Sequence, residues 1–164
     1  MKDISFLIDY HIWAHNKVLQ QLTAITTEEW NKEFGGSFPS LKELYKHLVM
    51  ADYRWLQRWK GVPFAEMPAT FAFDSYTQLT ATWQPVLGDM QATAKQIIQT
   101  NPEQPISFIT SKGVSFNLPF WQTLYQVTNH GTYHRGQVTN LIKMLQKEPV
   151  GTDIVLFFAE QNAK

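Results

Sequence analysis

Residues 120–145 read FWQTLYQVTNHGTYHRGQVTNLIKML, and this proline-free stretch decides the fold. The residues that would form one face of a helix recur in it at steps of three and four. They are Phe120, Leu124, Val127, Gly131, His134, Val138, Leu141 and Leu145. The stretch therefore predicts a long helix with one face turned to a core, and the preceding proline suits its first turn.

Two more long helices, with a short one between them, are predicted in the first 61 residues. One is expected from about Ile4 to Ile25, where apolar residues again recur at helical steps. A capping box at residues 26–29 predicts a short helix after it. A second capping box at residues 40–43 opens the next long helix, which Gly61 and Pro63 should end.

The middle of the chain predicts a crossover and a third long helix. Residues 62–73 are rich in proline and phenylalanine, which favours a long loop. Ser75 is a candidate helix cap, and an apolar stripe follows it. Pro85 and Gly88 lie inside that stripe and predict a kink or a break.

Two smaller elements complete the prediction. Between residues 105 and 117 the apolar period changes to two around Ser111, Lys112 and Gly113, which predicts a short β-hairpin. Residues 152–160 are expected to form a short terminal helix. The sequence thus predicts an all-α fold, a four-helix bundle with a short β-hairpin and a short C-terminal helix.

Composition excludes several classes of protein. The length of 164 residues predicts one domain over residues 1–164. Fourteen basic residues balance fourteen acidic ones, which disfavours nucleic acid as a partner because phosphate binding needs a basic surface. No apolar run is long enough for a membrane span, and the acidic Asp3 and Asp9 disfavour a signal peptide. We therefore expect a cytoplasmic protein with no membrane partner.

Three histidines are candidate metal ligands. His130 and His134 are four residues apart, so both imidazoles project from the apolar face of the same predicted helix. This spacing lets two imidazoles share one ion, and His47 on the inner face of the second helix could supply a third ligand. The alternative is that all three are hydrogen-bonded core residues, because pairs at this spacing also arise by chance. Gly131, between the pair, predicts a close approach by a neighbouring helix or a ligand.

A second pair at the same spacing, His11 and His15, is better interpreted as structural. Only His11 falls on the apolar stripe of the first helix, so His15 is expected to face the flank of the bundle. Either residue could still approach the metal site from outside the ligand set.

Three segments resemble the DinB/YfiT-like superfamily of metal-dependent hydrolases and thiol transferases. They are Ile12-Trp-Ala-His-Asn-Lys-Val-Leu19, Leu44-Tyr-Lys-His-Leu-Val-Met-Ala-Asp-Tyr-Arg-Trp55 and Asn129-His-Gly-Thr-Tyr-His-Arg-Gly-Gln137. The third segment is the most specific, because two histidines four apart precede Arg-Gly-Gln in the family signature. Gly151-Thr-Asp-Ile154 also matches the family pattern.

The resemblance implies an up-down-down-up bundle with a long crossover, and commonly a homodimer. It also implies a divalent ion held by His47, His130 and His134. Imidazole ligands suit Zn, Ni, Cu and Fe, and we expect Zn or Ni. Relatives include transferases that act with a low-molecular-weight thiol, and this chain has no cysteine, so such a thiol would come from outside.

Two functions from different classes follow from these observations. The first is a metal-dependent thiol S-transferase or hydrolase acting on a small-molecule substrate. The second is a metal-binding stress-response module without turnover. Arg135 and Gln137 are expected to have structural roles, with Asp52 as the ion-pair partner of Arg135.

Overall fold

Six α-helices and one β-hairpin follow one another along residues 3–163, the part of the chain that this computed structural model describes. The elements in chain order are α1 Ser5–Gln21, α2 Thr27–Asn31, α3 Leu41–Trp59, α4 Tyr76–Thr100, β1 Pro105–Ile109, β2 Ser115–Pro119, α5 Phe120–Met144 and α6 Ile154–Asn162. A 3-10 turn, Leu22–Ala24, extends α1. The predicted all-α fold with a hairpin and a short C-terminal helix is confirmed.

The four long helices form the bundle, in which α1 and α3 each pack against both α4 and α5. Helices α3 and α4 run parallel, because contacts between them advance along both helices together. Lys42 bonds Asp74 at the starts of the two helices, and Lys60 bonds Asp89 further along both. Parallel neighbours need a long connection, which residues 60–75 supply.

Two other pairs of neighbouring helices, α1 with α4 and α3 with α5, run in opposite directions. Early residues of α1 meet late residues of α4, and early residues of α3 meet later residues of α5. The contacts are Asp9 with Lys95, Asn16 with Gln84, His47 with His134 and Trp59 with Thr123. The four directions together give the up-down-down-up order that the family resemblance implied.

Side-chain caps begin three helices at the predicted positions. Thr26 and Glu29 form a complete capping box in front of α2. Ser40 and Ser75 each accept a hydrogen bond from the backbone N–H three residues later, at the starts of α3 and α4. These bonds satisfy N–H groups that have no partner inside the helix.

Helix α4 continues without interruption through Pro85 and Gly88, so the predicted break is wrong. Proline removes one N–H bond to the carbonyl four residues earlier, here that of Ala81. Both Ala81 and Pro85 are exposed, so water can solvate the freed carbonyl. The buried side chains on the opposite face hold the helix together across this position.

The hairpin forms where the sequence predicted it. Strands β1 and β2 are antiparallel, with Phe108 paired to Phe116. Gly113 in the turn has a φ of 79°, a conformation that glycine adopts without strain. The hairpin packs against α3 and α5, where Phe108 meets Trp55 near the end of α3 and β2 leads directly into α5. None of the helices within residues 3–163 combines the length and apolar character that a bilayer crossing requires.

Gly131 lies where α5 comes close to α1, as its place between the two histidines predicted. A Cβ atom there would lie 2.8 Å from Arg135 Nη1 and 3.0 Å from the ring of His11. Both neighbours are buried, so neither can move aside into solvent.

We predict that Gly131→Ala lowers the free energy of unfolding by about 1–3 kcal/mol, because a buried contact becomes too close. Gly136→Ala is the matched control, since a Cβ atom at this position of the same helix meets nothing within 4 Å. The control should gain about 0.4–1 kcal/mol by restricting the unfolded chain. Urea unfolding measures both, and equal effects would contradict the close approach.

Candidate metal centre

The structure brings His47 of α3 together with His130 and His134 of α5. The three Nε2 atoms lie 3.2 Å apart for His47 and His130, 3.1 Å for His47 and His134, and 3.0 Å for His130 and His134. The helical spacing places the two α5 imidazoles on one face, and the antiparallel packing of α3 brings the third beside them. We call these residues the histidine triad.

The spacing of the triad suits a metal ion better than a hydrogen-bonded cluster. Two nitrogens bound to one ion at about 2.0–2.1 Å lie about 2.9–3.4 Å apart in octahedral or tetrahedral geometry, a range that contains all three distances. A neutral imidazole carries only one N–H, so three mutual contacts through Nε2 leave unshared electron pairs facing each other. A cation at this position would relieve that repulsion.

Gln137 sets the orientation and the tautomer of His134. Its Oε1 lies 2.7 Å from His134 Nδ1, so the Nδ1–H donates to this oxygen. The proton on Nδ1 leaves Nε2 as the free electron pair that faces His47 and His130. The structural role expected for Gln137 is therefore that of positioning a candidate ligand.

The triad is neutral at neutral pH in the absence of an ion. Burial, together with the neighbouring His134 and His47, lowers the pKa of His130 to about 4. Burial is also the largest cause of the lowered pKa of His47 and of His134. Metal ions bind unprotonated imidazole, so these shifts keep the three side chains ready to bind.

The triad lies at the edge of the core, where solvent and a small molecule can reach it. His47 and His130 are partly exposed, whereas His134 is buried. Phe38, from the loop before α3, packs its ring 4.8 Å from that of His47 and 5.4 Å from that of His134. Sequence reasoning missed Phe38, because a lone aromatic residue in a loop shows no period that would assign it to a site.

The second histidine pair forms a separate buried cluster with Asp52. His11 Nε2 donates to Asp52 Oδ1 over 3.1 Å, and Trp83 Nε1 donates to Asp52 Oδ2 over 2.8 Å. His15 Nε2 lies 3.7 Å from Asp52 Oδ2, too far for a hydrogen bond. The three residues could also hold a cation by their spacing.

His15 is fully buried, so the expectation that it faces the flank of the bundle is wrong. Helix α1 packs against both α4 and α5. Because two neighbouring helices cover it, the buried part of the α1 surface is broader than its single row of apolar residues indicates, and it includes His15. Burial lowers the pKa of His15 well below its usual value, which keeps the ring neutral. Neither His11 nor His15 is hydrogen-bonded to the triad in the described part of the chain.

Arg135 does not pair with Asp52, contrary to expectation. Its Nη2 donates to the Tyr10 hydroxyl over 3.0 Å and to Thr132 Oγ1 over 2.9 Å. Burial lowers the pKa of Arg135, while Tyr10 and the charge of Asp52 oppose that shift. The two charges therefore attract each other without contact, because His11 and Trp83 already occupy the Asp52 carboxylate.

Comparison with known proteins finds similarity over nearly the whole chain. The family model described as the DinB family matches residues 1–163. Protein DinB of Bacillus subtilis (strain 168) is 25% identical to the chain over 172 aligned positions, which cover 96% of this chain and 95% of that protein. The similarity thus extends over the helices that carry both histidine clusters.

The stability of the metal-free protein should fall as the pH falls from about 6.5 towards about 4. Because the pKa of His130 is about 4 when folded and 6.5 in its reference state, the unfolded chain binds more protons in this range. Urea midpoints at the two ends of the range measure the effect. His130→Gln removes this titrating imidazole, so the loss of stability between the two pH values should be smaller in the variant. An equal loss in the variant and the wild type would contradict the lowered pKa of His130.

Asp52→Ala should lower the free energy of unfolding by about 2–5 kcal/mol. Two buried donors, His11 Nε2 and Trp83 Nε1, lose their acceptor, and each unsatisfied group costs about 1–3 kcal/mol. Asp89→Ala is the control, because its carboxylate forms an exposed pair with Lys60 that contributes within about 1 kcal/mol. Urea unfolding compares them, and similar losses would show that the buried cluster contributes little.

Proposed function

The chain belongs to the DinB family, and from this membership and the converging imidazoles we propose that it binds one divalent metal ion through the histidine triad. The observation that carries the proposal is the approach of three Nε2 atoms to within 3.2 Å of one another. Zn or Ni is the proposed ion, since both accept imidazole nitrogen readily. When bound, such an ion supplies a Lewis acid that can polarise a carbonyl or lower the pKa of a thiol.

We assign the protein, as its leading function, to the metal-dependent thiol S-transferases or hydrolases that act on a small molecule. Three protein ligands are the number found at catalytic zinc sites, which keep a position for water or substrate. His130 also lines a cavity of about 640 Å³, which is in the range of small-molecule sites. A thiol transferase needs a thiol, and the chain has no cysteine to supply one. A low-molecular-weight thiol would therefore be the second substrate.

The chain's own residues have distinct roles in this proposal. Gln137 holds His134 in one tautomer and orientation. Phe38 covers His47 and His134 with an apolar ring and excludes water from that side. The cavity that His130 lines would admit the small molecule.

A non-catalytic metal-binding module of the stress response is the second candidate function. The observation in its favour is that, among residues 3–163, no carboxylate joins the three histidines in the group that could hold a metal ion. Hydrolases commonly place a carboxylate beside the metal as a general base. The same observation favours thiol transfer over hydrolysis within the enzyme proposal, because a thiol substrate brings its own nucleophile.

Three further proposals rest on the sequence and on the family. Residues 1–164 form one domain, the protein is cytoplasmic, and it works as a homodimer. Light scattering distinguishes a dimer from a monomer of 19.0 kDa.

Protein purified without an affinity tag should contain about one divalent ion per chain by elemental analysis. His47→Ala and His130→Ala should each lose the ion while circular dichroism shows an intact fold, because two imidazoles bind far more weakly than three. Gln137→Ala should weaken metal binding about 10–100-fold, since Gln137 orients a ligand. Asn140→Ala is its control. This exposed residue lies one turn further along α5, and its side chain donates a hydrogen bond to Met144.

A wild type that is empty and takes up neither Zn nor Ni would make the triad a group of core histidines and end the proposal. If the ion is present, a screen with thiols and electrophiles separates the two functions. Thiol-dependent turnover that His130→Ala abolishes supports the enzyme. Absence of turnover together with a fully closed coordination shell supports the module.

A further inference from the structure

The cavity beside the triad has an unusual combination of walls. It lies between α3, the hairpin and α5, and His130 forms part of its lining. One side is aromatic, from Trp55, Phe64, Phe108 and Phe116. Two arginines of α3 line another side, and no carboxylate belongs to the described lining.

Arg54 and Arg58 are one helical turn apart, so their side chains leave the same face of α3. No carboxylate within residues 3–163 lies within 4.0 Å of either guanidinium. The Nε of each is buried and has no hydrogen-bond partner among the described residues. Two partly buried cations that share a cavity without a counter-ion repel each other, so an anion there would be stabilised.

The aromatic wall holds Arg58 in place. Its guanidinium lies 4.5 Å from the ring centre of Trp55 and 4.7 Å from that of Phe108. Its Nη2 donates to the carbonyl of Ile109 over 3.2 Å, which fixes the side chain against the hairpin. A guanidinium held in this way loses little further conformational freedom when it binds an oxyanion.

The two arginines and His47 of the triad share one stripe of α3. His47, Arg54 and Arg58 are separated by seven and then four residues, which keeps them on the same side of the helix. The charge of Arg54 lowers the pKa of His47, so the two side chains are within electrostatic reach. At 1.5 Å per residue, Arg54 lies about 10 Å along the helix axis from His47.

We propose that this cavity binds the small-molecule substrate through an oxyanion group, a carboxylate or a phosphate, held by Arg54 and Arg58. The apolar body of the molecule lies against the aromatic wall and extends about 10 Å towards the triad. Planar guanidinium groups match both oxyanions through paired N–H donors. The inference rests on the proposed function in one respect only, that the triad is the reactive end of the cavity.

The test uses probes that need neither thiol nor metal. The probes are 4-phenylbutyrate, phenyl phosphate and the neutral 4-phenylbutanamide, titrated calorimetrically into wild-type protein stripped of metal with EDTA. At least one anion should bind at least about tenfold more tightly than the amide, because charge-assisted hydrogen bonds to arginine are lost with the neutral probe. The preferred anion distinguishes a carboxylate from a phosphate source.

Arg54→Gln is the primary variant, because Arg58 also bonds the hairpin and its loss would disturb the cavity wall. Arg54→Gln should weaken binding of the preferred anion at least about tenfold, and Arg54→Lys less, since it keeps the charge without the planar fork. Lys60→Gln is the control, because it removes an exposed cation of equal charge that is paired with Asp89 just after the same helix. It should leave the affinity unchanged.

Three results would overturn the inference: no binding of either anion, equal binding of the amide, or equal affinity in wild type and Arg54→Gln. An anion that binds only the metal-loaded protein, with no effect of Arg54→Gln, would be a ligand of the ion and would also overturn it. Metal content of the same samples is measured separately. A protein that binds the anion but no metal therefore contradicts the proposed function alone.

Discussion

The carboxylate of Asp52 is the constraint on which the rest of the bundle depends. It accepts a hydrogen bond from His11 of α1 and another from Trp83 of α4, and its charge attracts Arg135 of α5. A buried carboxylate that is fully hydrogen-bonded fixes the rotation of each helix that bonds it, since any slip leaves a polar group unsatisfied. That rotation of α3 also decides where His47 points.

The two histidine clusters show how burial separates structural from functional roles. His11, His15 and Asp52 are almost completely buried, and Asp52 accepts hydrogen bonds from His11 and Trp83. The triad has a comparable set of ligand atoms, but it meets the surface beside a cavity with a cationic wall. The same residue type therefore supports helix packing in one place and forms an accessible candidate metal site in the other.

Much of the fold was predictable because it is encoded locally. The caps at Thr26, Ser40 and Ser75 and the turn at Gly113 are short-range signals, and the apolar stripes set the helices between them. Two of the wrong predictions share one cause. The break at Pro85 and the outward position of His15 were inferred from one helix at a time, and packing against neighbouring helices decides both.

By itself, the sequence determined the helices, the hairpin and the pairing of His130 with His134, since a helix places residues four apart on one face. The helical pattern also offered His47 as a possible third ligand, and the family resemblance added the order of the helices in the bundle. Only the tertiary structure decided that three Nε2 atoms converge, that Gln137 orients one of them and that Arg54 faces a shared cavity. The physical reason is that these contacts join segments far apart in sequence, and helix rotation and register, which no local pattern records, fix their distances.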